Sequence, residues 1–263
     1  MAKNRHKKYA KQSLNVINKG YSETGASYTR KATKGFTAQS GSPNEDINYN
    51  NQTLRERSRI LCMSGGLALS AVKTNRTNVI GCGLILKSAI DNDVLKLTPE
   101  QVKTWQNNIE KEFALWAENK YNCDAIAMND YYKIQQLVFY STLLNGDCFT
   151  LMQHDENSVS TMRPYSLRLN VIEADRIQTP NGASYNGILT STDGINQNNQ
   201  NKIYDGVEVD NVGKVVAYHI RNTYRNELSD DTSKWQRVES VGKETGLPNV
   251  IHIMADVERA GQY

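Results

Sequence analysis

Apolar residues repeat with one period in the first half of the chain and another in the second. Leu54, Arg57, Ile60 and Leu61 lie at helical spacing, Gly65-Gly66 interrupts, and Leu67, Leu69, Ala71 and Val72 resume the pattern as far as Val79-Ile80. This predicts two short helices joined at the glycines and ending at Gly81 and Gly83, with Arg55, Arg57 and Arg59 projecting on polar faces. A stronger helix begins after Thr98, where Thr98-Pro99-Glu100-Gln101 supplies an N-cap hydroxyl, proline at the first helical position and a capping-box glutamine. Val102, Trp105, Ile109, Phe113 and Trp116 follow as one stripe, which predicts that two indoles and a phenyl ring are buried together. A third helix is expected from about Asp130 to Leu144, ended by Asn145-Gly146.

From Gly146 onward the period drops to two and β-branched residues dominate. Strands are expected at Gly146–Met152, Leu167–Ile172, Val207–Val209, Val215–Ile220, Trp235–Val238 and Val250–Met254. Asp210-Asn211-Val212-Gly213 reads as the turn of a hairpin, with Gly213 free to take positive φ. In its second strand Val216, Tyr218 and Ile220 would form a buried face, and Ala217, His219 and Arg221 a wetter one. Two polar stretches, around Thr190–Asn201 and Asn226–Ser233, read as exposed loops tolerant of length change. The fold class is α+β: a basic, disordered N-terminal arm over residues 1–52, a helical part over 53–145, and a mostly antiparallel β-rich part over 146–263.

Charge separates the arm from the body. Residues 1–34 hold nine basic residues against Glu23 alone, net +8, whereas the remainder holds 22 basic and 27 acidic residues, net −5. Lys3, Arg5, Lys7, Lys8, Lys11, Arg30, Lys31 and Lys34 are candidate contacts for nucleic-acid phosphates, or equally for an acidic neighbouring subunit. With few apolar residues and many Lys, Asn, Ser, Thr and Gly, this arm is expected to be disordered alone. Tyrosine dominates the aromatics, 14 against 4 phenylalanines, which suits surfaces that become interfaces. Cys62, Cys82, Cys123 and Cys148 are far apart with no C-x-x-C pair, so free thiols in a reducing compartment are expected, and no metal. No apolar run reaches the ~20 residues a bilayer crossing requires.

No phosphate-binding loop, nucleophile elbow or H-E-x-x-H is present, and Gly81-Cys82-Gly83 lacks the third glycine of a dinucleotide site. These absences point away from an enzyme and from any cofactor. The sharpest enzymatic alternative is a Mg²⁺-dependent nuclease built on Asp147, Glu173 and Asp175, helped by His154 or His252. A simpler reading makes Glu173 and Asp175 caps at a strand exit, with Arg176 as their charge partner and His219 as an exposed or half-buried strand residue.

Five segments carry a resemblance: Leu54–Arg59, Thr77–Leu84, Glu112–Ala117, Ile172–Ile177 and the hairpin Asp205–Ile220. In this order, from about Leu54 to the end, the chain resembles the portal proteins of tailed bacteriophages, lambda family. The resemblance implies a structural subunit of a ring, commonly a dodecamer, at one vertex of the capsid. Its implied partners are further copies of itself, the packaging terminase, capsid protein, head-to-tail connector proteins and double-stranded DNA, with no membrane. Its implied location is the virion, and the bacterial host cytoplasm during assembly. Residues 53–263 would be the wing of such a subunit. Family members continue into stem, clip and crown, so a truncated portal is expected; the alternative is a non-enzymatic DNA-binding module of mobile-element origin acting through the basic arm.

Overall fold

The computed structural model describes residues 25–27, 29–37, 40–180, 184–185, 188–189, 193–224, 234–254, 257 and 259–263. It divides into two units, Met1–Gly41 and Ser42–Tyr263. In the first, residues 29–35 form turns, with the backbone N–H groups of Thr33 and Lys34 donating to the Arg30 carbonyl. Residues 1–24, 28, 38 and 39 of the arm, and the polar stretch Asn226–Ser233, lie outside the described residues; the end of the arm expected over 1–52 is helical from residue 44 onward, so the disorder expected there is corrected.

The second unit opens with a π-helical turn, Asn44–Asn48, running directly into α1, Tyr49–Ser64. Helix thus begins several residues before the apolar pattern does. Gly65 breaks the chain and α2 follows at Gly66–Val79. A one-turn α3, Asn92–Leu95, precedes α4, Pro99–Ala117, where the Thr98–Gln101 capping box forms as its sequence predicts. The short α5, Lys120–Cys123, leads to α6, Tyr131–Asn145, whose N-cap Asp130 accepts from the Lys133 N–H and whose C-cap Gly146 has φ 87°. Asp124 is buried in the turn between α5 and α6, accepting from the backbone N–H groups of Ile126, Met128 and Asn129 at 3.1, 3.0 and 2.8 Å.

The strands are β1 Asp147–His154, β2 Leu167–Glu173, β3 Ser184–Tyr185, β4 Ile188–Leu189, β5 Asp193–Ile195, β6 Lys202–Tyr204, β7 Val207–Val209, β8 Val215–Arg221, β9 Trp235–Glu239 and β10 Val250–Met254. They form three antiparallel sheets in the orders β10-β1-β2, β3-β4 and β5-β6-β7-β8-β9. All six expected strands are present. The polar stretch at Thr190–Asn201 is different from its reading as a loop: it contains β5 and the turn into β6.

The three-stranded sheet is the middle layer, because its side chains alternate between two cores. Leu167, Leu169 and Val171 of β2 join Trp116, Ala117, Cys123 and Ile134 against the helices. Phe149 and Leu151 of β1, Ile172 of β2 and Val250 of β10 pack instead against Val207, Val209, Tyr218 and Ile220 of the five-stranded sheet. The α4 stripe is only half used as expected: Phe113 and Trp116 enter the core and the Trp116 indole donates to the Leu167 carbonyl at 2.9 Å, but Trp105 and Ile109 remain exposed.

The β6–β7 turn tests how tightly these layers are joined. Gly206 has φ 87°, and a Cβ there would meet Gln178 N at 2.5 Å and the Ile177 carbonyl carbon at 2.8 Å. Gly213, φ 90°, would meet only the Tyr263 hydroxyl at 2.8 Å, at the end of a movable side chain. The left-handed backbone costs either alanine ~1–2 kcal/mol. Gly206→Ala is expected to destabilise by clearly more than Gly213→Ala in urea unfolding, since backbone cannot yield as a tyrosine tip can; equal midpoints would contradict this packing.

Candidate functional site

Helix α1 is mounted with its arginines inward. Arg55 is 8% exposed; its Nε donates to the Asn145 carbonyl at 3.2 Å, its Nη2 to Asp147 Oδ2 at 2.8 Å, and its Nη1 lies 3.6 Å from Asp205 Oδ2. One turn later, Arg59 donates from Nε to the Asn145 side-chain oxygen at 2.9 Å and from Nη1 to Asp175 Oδ2. The acceptors come from the C-terminus of α6, the start of β1, the turn after β2 and the β6–β7 turn. Only a planar fork of donors can serve so many at once, so lysine could not substitute. The α6 carbonyl end also favours a cation there. Asp175 holds the Arg59 guanidinium above its ordinary value, although burial acts the other way.

This mounting corrects the expected orientation. The helical period of Leu54, Ile60 and Leu61 is right, but the buried side is the one bearing Arg55 and Cys62. Leu54, Ile60, Leu61, Met63 and, on α2, Leu67 stand between 58% and 88% exposed. Arg57 is exposed as expected. Uncovered aliphatic residues on helices held firmly from behind, with Leu54 and Leu61 on one side of α1, are the signature of a surface that meets a partner. It is aliphatic, whereas the tyrosine count had suggested an aromatic surface.

Two of the three acids of the nuclease reading are occupied by these arginines, and the third by a tyrosine. Asp147 pairs with Arg55 and Asp175 with Arg59, while Glu173, opposite Cys148 in the β1–β2 register, hydrogen-bonds the Tyr224 hydroxyl. Arg176, expected as the charge partner of these acids, donates instead from Nε to the Arg221 carbonyl at 3.0 Å. His154 is exposed at the far end of β1, and His252 is stacked on the Phe149 ring with centroids 4.1 Å apart. No group of three or more His, Cys, Asp or Glu that could hold a metal occurs among the described residues. The four cysteines are free; burial pushes the thiols of Cys123 and Cys148 up to about 11.

A second polar cluster was missed by the sequence reading. Glu208, on β7, is 0% exposed, and both its oxygens are saturated. Oε2 accepts from Asn196 Nδ2 at 3.0 Å, Arg237 Nε at 2.8 Å and His219 Nε2 at 3.0 Å. Oε1 accepts from Asn199 Nδ2 at 2.7 Å, Asn201 Nδ2 at 2.9 Å and Arg237 Nη2 at 3.0 Å. The asparagine run is therefore a lid over a buried carboxylate. Its amides are oriented, because the side-chain oxygens of Asn196 and Asn199 accept from the N–H groups of Asn198 and Asn201. His219 is accordingly not on a wet face; it is buried, as are Ala217 and Arg221. Burial opposes the Glu208 charge, but Arg237 and the three amides outweigh it and hold the carboxyl far below the usual range. Burial likewise pulls His219 below its ordinary value, so the neutral ring donates its Nε2 proton to Glu208.

Of the residues proposed to contact nucleic acid or a partner, Arg30, Lys31 and Lys34 are exposed in the first unit. Lys3, Arg5, Lys7, Lys8 and Lys11 lie outside the described residues. No helix among the described residues is long and apolar enough to cross a membrane. A family model described as phage portal protein, lambda family, matches residues 29–263. No curated protein matches the chain.

The buried His219, the half-buried His252 and Glu208 set the sign of the pH dependence. His219 and His252 are both lowered by burial, so the stability tied to their neutral forms is complete above pH 6.5 and declines below it as the unfolded chain takes up protons. The depressed Glu208 carboxyl adds a loss that starts near the ordinary carboxylate value of 4.5 and grows as pH falls further. Urea midpoints should therefore fall from pH 7 to pH 4. Glu208→Gln should cost ~3 kcal/mol at pH 7, the scale of breaking a buried pair, and should flatten the profile below pH 5. An unchanged profile would dismiss the network as a stabilising element.

Proposed function

The chain belongs to the lambda family of phage portal proteins, structural proteins of the virion that assemble as homo-oligomeric rings, and from that premise we propose that it is the wing-forming subunit of a portal ring at one capsid vertex. In this reading the ring nucleates the head, docks the terminase, passes double-stranded DNA during packaging and ejection, and joins the head-to-tail connector. Residues 53–145 supply the helical part of the wing and 146–263 its β-rich part. The basic arm ahead of the helical turn at Asn44 carries Lys3, Arg5, Lys7, Lys8, Lys11, Arg30, Lys31 and Lys34 to DNA phosphates or to an acidic neighbouring subunit. Assembly takes place in the bacterial host cytoplasm before the ring becomes part of the virion.

The single observation that supports this reading beyond the family match is the inverted mounting of α1. A chain that worked alone would turn Leu54 and Leu61 toward its own core and its arginines toward water. Here the arginines are spent on internal carboxylates, and the leucines are left for a surface outside the chain. Heterologous contacts that close on themselves are how a ring uses such a surface.

Replacing Leu54 and Leu61 with glutamate should abolish or sharply reduce oligomers in mass photometry. Stability of the isolated chain should change by no more than ~0.5 kcal/mol, as expected for surface positions. A double variant that assembles like the parent would remove α1 from the subunit contact.

A further inference from the structure

We propose that neighbouring copies are also joined by strand addition: the unpaired segment Leu84–Ile90 of one copy pairs with the open edge of β10 in the next. The proposal rests on the ring reading above and adds a specific contact to it.

The acceptor is a strand with none of the usual protections. β10, Val250-Ile251-His252-Ile253-Met254, is the outermost member of its sheet and, among the described residues, pairs only with β1. It has no proline, no lysine and no bulge, the devices that keep sheet edges from pairing. The Met152 N–H donates to the Asn249 carbonyl at 2.8 Å. By the alternation of an antiparallel ladder, Ile251 and Ile253 then face β1, and Val250, His252 and Met254 direct their N–H and C=O groups outward. Among the described residues nothing pairs with those outward groups. On the face beside α6, Ile251 and Ile253 remain 37% and 38% exposed, and Leu247 before the strand is 64% exposed. The edge thus offers both a row of backbone partners and apolar seats beside it.

The donor is a strand-like ribbon without a sheet. From Gly83 to Ile90 the chain is neither helix nor strand. Yet its burial alternates: Ile85, Lys87 and Ala89 are exposed, whereas Leu86, Ser88 and Ile90 are half-buried. Period two is the mark of an extended backbone. Side chains hold the ribbon in place. Gln135 accepts from the Leu84 N–H at 2.6 Å and donates to the Leu84 carbonyl at 3.1 Å, and Glu110 accepts from the Ser88 N–H at 3.0 Å. The backbone groups of Ile85, Leu86, Lys87 and Ala89 have no partner among the described residues, and Ile85 is 71% exposed. A pre-extended apolar segment forfeits little entropy on pairing, which suits it to β-augmentation.

The occupant follows from the two halves being on one chain. Each carries unmet backbone hydrogen bonds and apolar side chains; β10 is uncharged, and the ribbon carries only Lys87. Donor and acceptor are different patches, so the contact is head-to-tail, the kind that builds a ring.

The test uses proline and cysteine. Ile85→Pro and Ala89→Pro each remove an N–H that makes no bond among the described residues, and proline's φ suits an extended ribbon, so the monomer should melt as the parent does. Both variants are expected to lose oligomers in mass photometry. In a Cys82→Ser background, single cysteines at 84, 86 or 88 (opposite 251 and 253 if the pairing is antiparallel) or at 85, 87 or 89 (opposite them if it is parallel), mixed with single cysteines at 251 or 253, should give a dominant intermolecular disulfide for one register. Rings formed by both proline variants as readily as by the parent, with no such cross-link, would overturn the strand pairing while leaving the ring reading intact. A parent chain that stays monomeric at every concentration would overturn both.

Discussion

Two arginines one turn apart on α1 decide what the molecule shows to its surroundings. Arg55 and Arg59 reach the α6 C-terminus, the start of β1, the turn after β2 and the β6–β7 turn, so that helix and both large sheets are referred to a single pair of side chains. Partly buried carboxylates are costly unless paired and hydrogen-bonded. Asp147, Asp175 and Asp205 can be tolerated at the layer junction because the guanidinium groups arrive from outside the sheets. The consequence runs outward as well. Once one face of α1 is committed to the arginines, its aliphatic residues have nowhere inside to go. An internal electrostatic requirement thus creates an external apolar surface.

Glu208 plays the corresponding part at the far side of the five-stranded sheet. Its sheet has two non-equivalent faces: one carries Val207, Val209, Tyr218 and Ile220 into the shared core, and the other carries Glu208, His219 and Arg237. A polar face on a sheet is ordinarily left to water. Here the turn between β5 and β6 folds three asparagine amides over it, and the carboxylate accepts six hydrogen bonds at once. A single anion thereby gathers β7, β8, β9 and the β5–β6 turn. Such a network rewards only one register of the three strands, because a shift by one residue would place Glu208 in the apolar core.

Local signals in the sequence were sufficient wherever local physics decides structure. The Thr98–Gln101 capping box, the Asn145-Gly146 stop, the Asp210–Gly213 turn and the six strands are all set by neighbours within a few positions. What stayed hidden depends on partners far along the chain. The apolar period of α1 gives the axis of its stripe but not the direction it faces, since that is fixed by carboxylates some 90 to 150 residues away in sequence. The asparagine run reads as solvent-loving because nothing within it reveals Glu208. Likewise the Trp105–Ile109 half of the α4 stripe has the right period and no core beneath it. The family resemblance, by contrast, was legible because short segments in fixed order survive without any knowledge of contacts.

The surfaces left uncovered are unlike one another, and that difference constrains the assembly. A two-fold dimer needs one patch that complements itself, each residue meeting its counterpart across an axis. The α1 surface is aliphatic, β10 is a ladder edge, and the Leu84–Ile90 ribbon is an extended segment lacking a ladder. An edge and a ribbon complement each other, so in the proposed contact each copy offers one donor and one acceptor. Repeating that contact propagates in one direction, and it terminates only when rotation closes the circle. The rigid mounting of α1 by Arg55 and Arg59 then acquires a second purpose. For a closed ring the angle between neighbours must be the same at every contact, and a helix tied at several points to both sheets cannot absorb angular error.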